Sequence, residues 1–133
     1  MSFYNNNKEK IEQGFLGEQV FREYLQDKKV PFMQVDVMYK KDNEWYLAEI
    51  KSQEKYINPD GHGLPQWQID RRMEFQKDTG IKFIFAVYDT QDKCLYVNSM
   101  DNLKEQGNEF STKGKKPRVI FPLESFIKIE LNK

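Results

Sequence analysis

Ile11, Phe15, Phe21 and Leu25 recur at helical spacing, and the pattern predicts a helix over residues 8–28 that Pro31 ends. Residues 32–39 and 45–51 read as two strands, with the polar stretch Lys40 to Glu44 as the turn between them. Residues 53–64, with the turn signal Asn58-Pro59-Asp60-Gly61, read as a loop. Pro65 is placed to start a second helix and Gly80 to close it. Ile81 to Tyr88 is apolar except for Lys82, as expected of a strand at a sheet centre. Cys94 to Val97 predicts a short strand, 101–105 a short helix, and Gly107 to Pro117 a polar, mobile segment. Arg118 to Phe121 and Ile127 to Leu131 are weaker strand candidates. The order α-β-β-α-β-β implies an α/β fold with a mixed sheet flanked by helices. It is read as one domain over 1–133, with 1–7 a flexible tail.

A chain of 133 residues suffices for one continuous core but not for two. Hydrophobic residues at 38% and aromatics at 14% exceed what a disordered chain carries, so a folded domain is expected. The 21 basic and 21 acidic residues cancel, and this neutrality argues against strong nonspecific binding to DNA. It does not exclude a phosphate-binding surface, because acidic metal ligands elsewhere offset a basic patch. The lone Cys94 excludes an internal disulfide framework and any multi-cysteine metal site, which points to a reducing compartment. The lone His62, between two glycines, argues against a histidine-based metal site; it is read as a loop residue and not a ligand. No apolar signal segment opens the chain, and its longest apolar run is far too short to span a bilayer. A soluble, cytoplasmic protein is the expectation.

The chemistry lies in the first hairpin. Glu49 and Lys51 are two apart on a strand, so both point to one face, together with Trp45 and Leu47. If the turn is a two-residue hairpin at Asp42-Asn43, Lys41 pairs with Glu44 and Asp36 falls opposite Glu49. Facing carboxylates at roughly 5 Å repel by about 3–4 kcal/mol at an effective dielectric of about 20. Lys51 offsets part of this, and a divalent cation offsets more; oxygen ligands suit Mg2+ or Mn2+. At about 100° per residue Glu18 falls inside the apolar stripe of the first helix, where an unpaired carboxylate is unusual. It is therefore a further candidate for the same site. A Glu-x-Lys tripeptide by itself is common at solvated strand ends. The order is what carries specificity: Glu on helix one, Asp on strand one, Glu-x-Lys on strand two.

Glu18, Asp36 and Glu49-Ile50-Lys51-Ser52 together resemble the PD-(D/E)XK nucleases, in particular the archaeal and Gram-positive Holliday junction resolvases. Gly14-Phe15-Leu16-Gly17-Glu18 resembles the first-helix signature of that branch. Gln68-Ile69-Asp70-Arg71-Arg72-Met73-Glu74-Phe75, followed by Gly80, resembles its second helix, and Ile81 to Tyr88 its central strand. Val35 stands where the family name has a proline. The resemblance covers residues 14–97. It implies a restriction-endonuclease-like core and a Mg2+-dependent endodeoxyribonuclease, with Mn2+ able to substitute, acting in DNA recombination and repair as a homodimer on branched DNA. It implies that Asp36, Glu49 and Glu18 hold metal, that Lys51 orients the attacking water or stabilises the charged phosphorus centre, and that Gln68 serves the site, with Gln66 as the alternative.

Arg71, Arg72 and Lys77 on the second helix, and Lys113, Lys115, Lys116 and Arg118 near the C-terminus, are candidate phosphate contacts or an ordinary solvated surface. Trp67 and Tyr56 flank the Pro-Gly loop and are read as packing residues, with base stacking as the alternative. Two other readings stand beside a junction-selective enzyme. One is a general or restriction-like nuclease of a phage or mobile element; the other is a non-catalytic nucleic-acid-binding module of the same fold.

Overall fold

A computed structural model describes residues 16–30, 32 and 36–131 of the chain. The chain divides into two compact units, Met1–Gln34 and Val35–Lys133. In the first, residues 16–27 form a helix (α1). The predicted start of that helix, 8–15, lies outside the described residues, as do Pro31 and 33–35 of the first predicted strand. The helix gives way to a turn at Lys28-Lys29, where Lys29 takes a positive φ of 57°.

The second unit begins with the predicted hairpin. Strand β1 (Val37–Lys41) pairs antiparallel with β2 (Glu44–Gln53), with Lys41 opposite Glu44. Asp42 and Asn43 both take positive φ, 51° and 66°. This is the turn whose twist suits a two-residue hairpin, and Asn and Asp adopt that backbone at low cost. Strand β3 (Gly61–Pro65) follows, then α2 (Gln66–Thr79), β4 (Lys82–Asp89), β5 (Cys94–Ser99), α3 (Met100–Glu105), β6 (Phe110–Ser111), β7 (Arg118–Pro122), a single 3-10 turn and β8 (Ile127–Ile129). The strands form a five-stranded mixed sheet, β1-β2-β4-β5-β8, and a three-stranded antiparallel sheet, β3-β7-β6. In the larger sheet β2 pairs with β4 in parallel, and the other three pairings are antiparallel. The fold is α/β with a mixed sheet, as the pattern predicts.

Two expectations are corrected. Part of the segment read as a loop, 53–64, is the buried strand β3, and His62 is wholly buried on it. The two glycines that suggested a loop are there because β7 lies too close for a side chain. A Cβ at Gly61 would collide with the Phe121 carbonyl, and one at Gly63 with the Val119 carbonyl. The segment read as mobile contains β6, whose Phe110 and Ser111 pair with Ile120 and Val119.

The core lies where β4, β5, α3 and the second sheet meet. Phe83, Phe85 and Val87 of β4 pack with Leu64, Ile69, Met100, Leu103, Val119, Phe121 and Phe126. Helix α2 is fixed over this face by few apolar anchors, Ile69 and the half-buried Met73. Polar ties supply the rest. Gln76 accepts from the Phe83 N–H at 2.7 Å and donates to Asp101 of α3 at 2.9 Å. Gly80 closes the helix at φ 77°, in the left-handed conformation a glycine takes at little cost.

Candidate active site

Extending the register of Val37 with Ala48 by one residue sets Asp36 opposite Glu49. Asp36 uses Oδ2 to accept the Ile50 N–H at 3.0 Å, so its carboxylate caps the open end of the ladder beside Glu49. Glu49 lies between β1 and β4, level with Phe85 of the parallel neighbour, and is only 3% exposed. A carboxylate in that position needs compensation. Two cations supply it through one oxygen: Arg72 Nη2 is 3.5 Å and Lys51 Nζ 3.9 Å from Glu49 Oε1.

The pair titrates asymmetrically. Burial pushes the Glu49 carboxyl above the usual range; its hydrogen bond to Asp36 pushes the same way, and Arg72 and Lys51 pull against both. Asp36 is held below the usual range, chiefly by that shared hydrogen bond, with the Ile50 N–H, Lys51 and Arg72 assisting against burial. The two carboxyls therefore compete over charge, with Glu49 the one that holds a proton more readily.

Helix α2 reaches this pair through one side chain. Arg72 reaches Glu49 from it, and Gln68 lies one turn earlier on the same helix face. Gln68 Oε1 and Arg72 Nε are both shielded from water without a hydrogen-bond partner among the described residues. Gln66, the alternative for the glutamine role, is instead committed to Asp70 at 2.8 Å. Glu18 belongs to the first unit, where it is 59% exposed and pairs with Arg22 one turn along α1 at 3.7 Å. The structure thus brings together Asp36, Glu49, Lys51 and Arg72, with Gln68 one turn from Arg72 on α2. Among the described residues no group of three or more His, Cys, Asp or Glu side chains is placed to hold a metal ion. Asp36 and Glu49 offer two carboxylates, which suits Mg2+, since that ion is commonly held by one or two carboxylates and keeps several waters.

The other candidates are dispersed. Arg71, Lys115 and Lys116 are exposed. Arg118 stacks its guanidinium over the Tyr56 ring at 5.7 Å. Trp67, read as a packing residue, is exposed instead, because it occupies the outer face of α2 while Ile69 takes the inner one.

Sequence reasoning missed a second polar cluster on the same sheet face. Gln53, two residues beyond Lys51, pairs in register with Asp89 of β4. His62 sits between them, with Nε2 2.8 Å from Asp89 Oδ2 and Nδ1 3.1 Å from Gln53 Oε1. The Gln53 amide is oriented by its own donation to the Gly63 carbonyl at 2.9 Å. Each ring nitrogen therefore has a polar partner within hydrogen-bond distance. Lys55 bridges Asp89 and Asp92 at 2.9 Å each, and Tyr96 donates to Asp92 at 2.6 Å. The signal was thin: only a polar residue between two glycines that exclude side chains.

No helix among the described residues is long and apolar enough to cross a membrane. No protein-family model, no curated protein and no solved structure matches this chain.

Proposed function

We propose that this protein is a metal-dependent DNA endonuclease with a restriction-endonuclease-like core, selective for branched DNA such as a four-way junction. The observation that carries the reading is the carboxylate pair: Asp36 opposite a buried Glu49, with Lys51 on the same strand as Glu49. Two facing carboxyls compete over charge; Arg72 and Lys51 offset part of it from 3.5 and 3.9 Å, and a cation between the carboxylates would offset more. A bound Mg2+ or Mn2+ would neutralise charge on the scissile phosphate and acidify a water. Asp36 and Glu49 would be its protein ligands. Lys51, already drawn toward Glu49, would orient the attacking water and offset the charge gathered at phosphorus. The unpartnered Gln68 Oε1 would accept from that water. Hydrolysis then forms one P–O bond to the water oxygen and breaks one bridging P–O bond, the departing oxygen taking up a proton. Exposed Arg71, Lys115 and Lys116 would meet the DNA backbone. The reading carries with it a homodimer matched to a two-fold junction and a cytoplasmic location.

The test is cleavage of a four-way junction, a flap, a duplex and a single strand, with and without Mg2+, by the wild type and by Asp36→Asn, Glu49→Gln and Lys51→Ala. Metal-dependent cleavage of the junction is expected, reduced about 10³-fold or more by either carboxylate change and about 10²–10³-fold by Lys51→Ala. Equal cleavage of all four substrates would leave a general nuclease. DNA binding without cleavage, unaffected by Asp36→Asn, would leave a binding module.

A further inference from the structure

In sequence Arg72 is one of several cations read as phosphate contacts or as solvated surface; the structure turns it inward, onto Glu49. Its side chain is 12% exposed, and its single polar contact among the described residues is the long one, 3.5 Å, to Glu49 Oε1. Its Nε is shielded from water without a partner. A guanidinium carries five N–H donors in a planar fork, so most of this fork is unused. Glu49 Oε1 meanwhile is faced by two cations, since Lys51 approaches it as well. One turn earlier, Gln68 leaves an acceptor unpartnered. Unused donors thus stand beside Glu49, and an unused acceptor lies one turn away on the same helix face. A buried polar site left unmatched by its own chain fits a ligand that completes it. An anion with several oxygens completes the fork, and a water or hydroxyl completes Gln68.

We infer that Arg72 is a catalytic phosphate clamp: its fork binds the non-bridging oxygens of the scissile phosphodiester and so places phosphorus beside Asp36 and Glu49. The inference rests on the nuclease reading and adds to it a phosphate-binding residue distinct from Lys51. The contact to Glu49 is then a resting position, which holds the guanidinium at the site until substrate arrives. A lysine keeps the charge and the reach to Glu49 but lacks the fork, so Arg72→Lys separates the two roles.

Three measurements on the full chain test it: Mn2+ affinity by calorimetry, DNA affinity against salt in EDTA, and single-turnover cleavage of a junction in Mg2+. Arg72→Ala is expected to cleave about 10²-fold more slowly, and Arg72→Lys about 10-fold more slowly. Both should bind Mn2+ within about threefold of wild type. The slope of log affinity against log salt should become shallower by about 0.9 in Arg72→Ala, the loss of one phosphate contact. Millimolar guanidinium should restore Arg72→Ala at least about tenfold. Wild-type cleavage by Arg72→Lys, or Mn2+ affinity falling in step with rate in that variant, overturns the clamp and leaves Arg72 as a support for Glu49. Should Arg72→Ala not fold, Arg72→Lys decides alone. The nuclease reading fails separately: wild type then neither binds Mn2+ nor exceeds Asp36→Asn in cleavage.

Discussion

Two polar clusters share one face of the larger sheet, four residues apart along β2, and they are built in opposite ways. At Gln53 and Asp89 the buried polar groups are matched. Asp89 Oδ1 accepts the Gln91 and Asp92 N–H groups at 2.9 and 2.7 Å, and Oδ2 accepts from His62 and Lys55 at 2.8 and 2.9 Å. That fills the four acceptor positions a carboxylate offers. At Asp36 and Glu49 two carboxyls compete over charge, the cations stand off at 3.5 and 3.9 Å, and Gln68 and Arg72 keep unmatched atoms out of water. A satisfied buried network is a structural joint, here tying β2, β3 and β4. An unsatisfied one costs stability, and the expectation is that a ligand offsets that cost.

The joint gives the largest expected effect on stability. His62→Ala leaves Asp89 and Gln53 facing a cavity between two sheets. Losing a buried hydrogen bond to a charged group and opening a cavity together cost about 3 kcal/mol or more, even though Lys55 and two N–H groups still hold Asp89. Urea unfolding should show that loss, while Mn2+ affinity of the folded variant stays within about threefold of wild type. A loss of metal affinity matching the loss of stability would mean that the two clusters are one unit.

This contrast explains what was legible in the chain. The hairpin was legible because Asp42-Asn43 fixes the turn, and alternation then fixes which residue faces Glu49. Helix α2 was legible from its ends, Pro65 and Gly80. The burial of His62 was not. It depends on β7, more than fifty residues away, approaching Gly61 and Gly63 too closely for a side chain. Local turn signals dominated a segment whose structure is set by a distant strand. For the same reason Arg72 reads in sequence no differently from Arg71 and Lys77, a phosphate contact or a solvated charge. Its inward turn is set by Ile69 and by Gln76, which hold α2 against the core and against Phe83 and Asp101.

Acid should separate the clusters by sign. Burial alone would raise the Asp89 carboxyl. The Asp92 N–H, Lys55, His62 and the Gln91 N–H outweigh it and hold the carboxyl down at about 2, against 3.8 for the ordinary group. A depressed carboxylate stabilises the fold fully above about pH 4, and that contribution is lost as pH falls toward 2. The loss is about 2 kcal/mol. Unfolding curves between pH 5 and 2 should show this limb in the wild type and a flatter one in Asp89→Asn, which starts from lower stability. A limb of equal depth in both proteins would assign it to other carboxylates.

Glu49 should give the smallest effect and the opposite sign. Its folded value is raised, first by burial and then by Asp36. The folded state therefore holds a proton that the unfolded state has already released. That contribution is fully present below about pH 4.5 and is lost as pH rises through the folded value. Glu49→Gln imitates the protonated form: its amide donates to Asp36, and its oxygen still accepts from Arg72. Without metal at pH 8 the variant should be more stable than wild type, by about 1 kcal/mol, and should lose the pH dependence of this step. Saturating Mn2+ should reverse the order, because a ligand that binds only the folded wild type stabilises it by mass action. Thermal unfolding of both proteins, with and without Mn2+, reads out the crossing. If wild type is the more stable protein in both conditions, the carboxylate pair is an ion cluster already satisfied by Arg72 and Lys51, and the contrast between the two regions disappears.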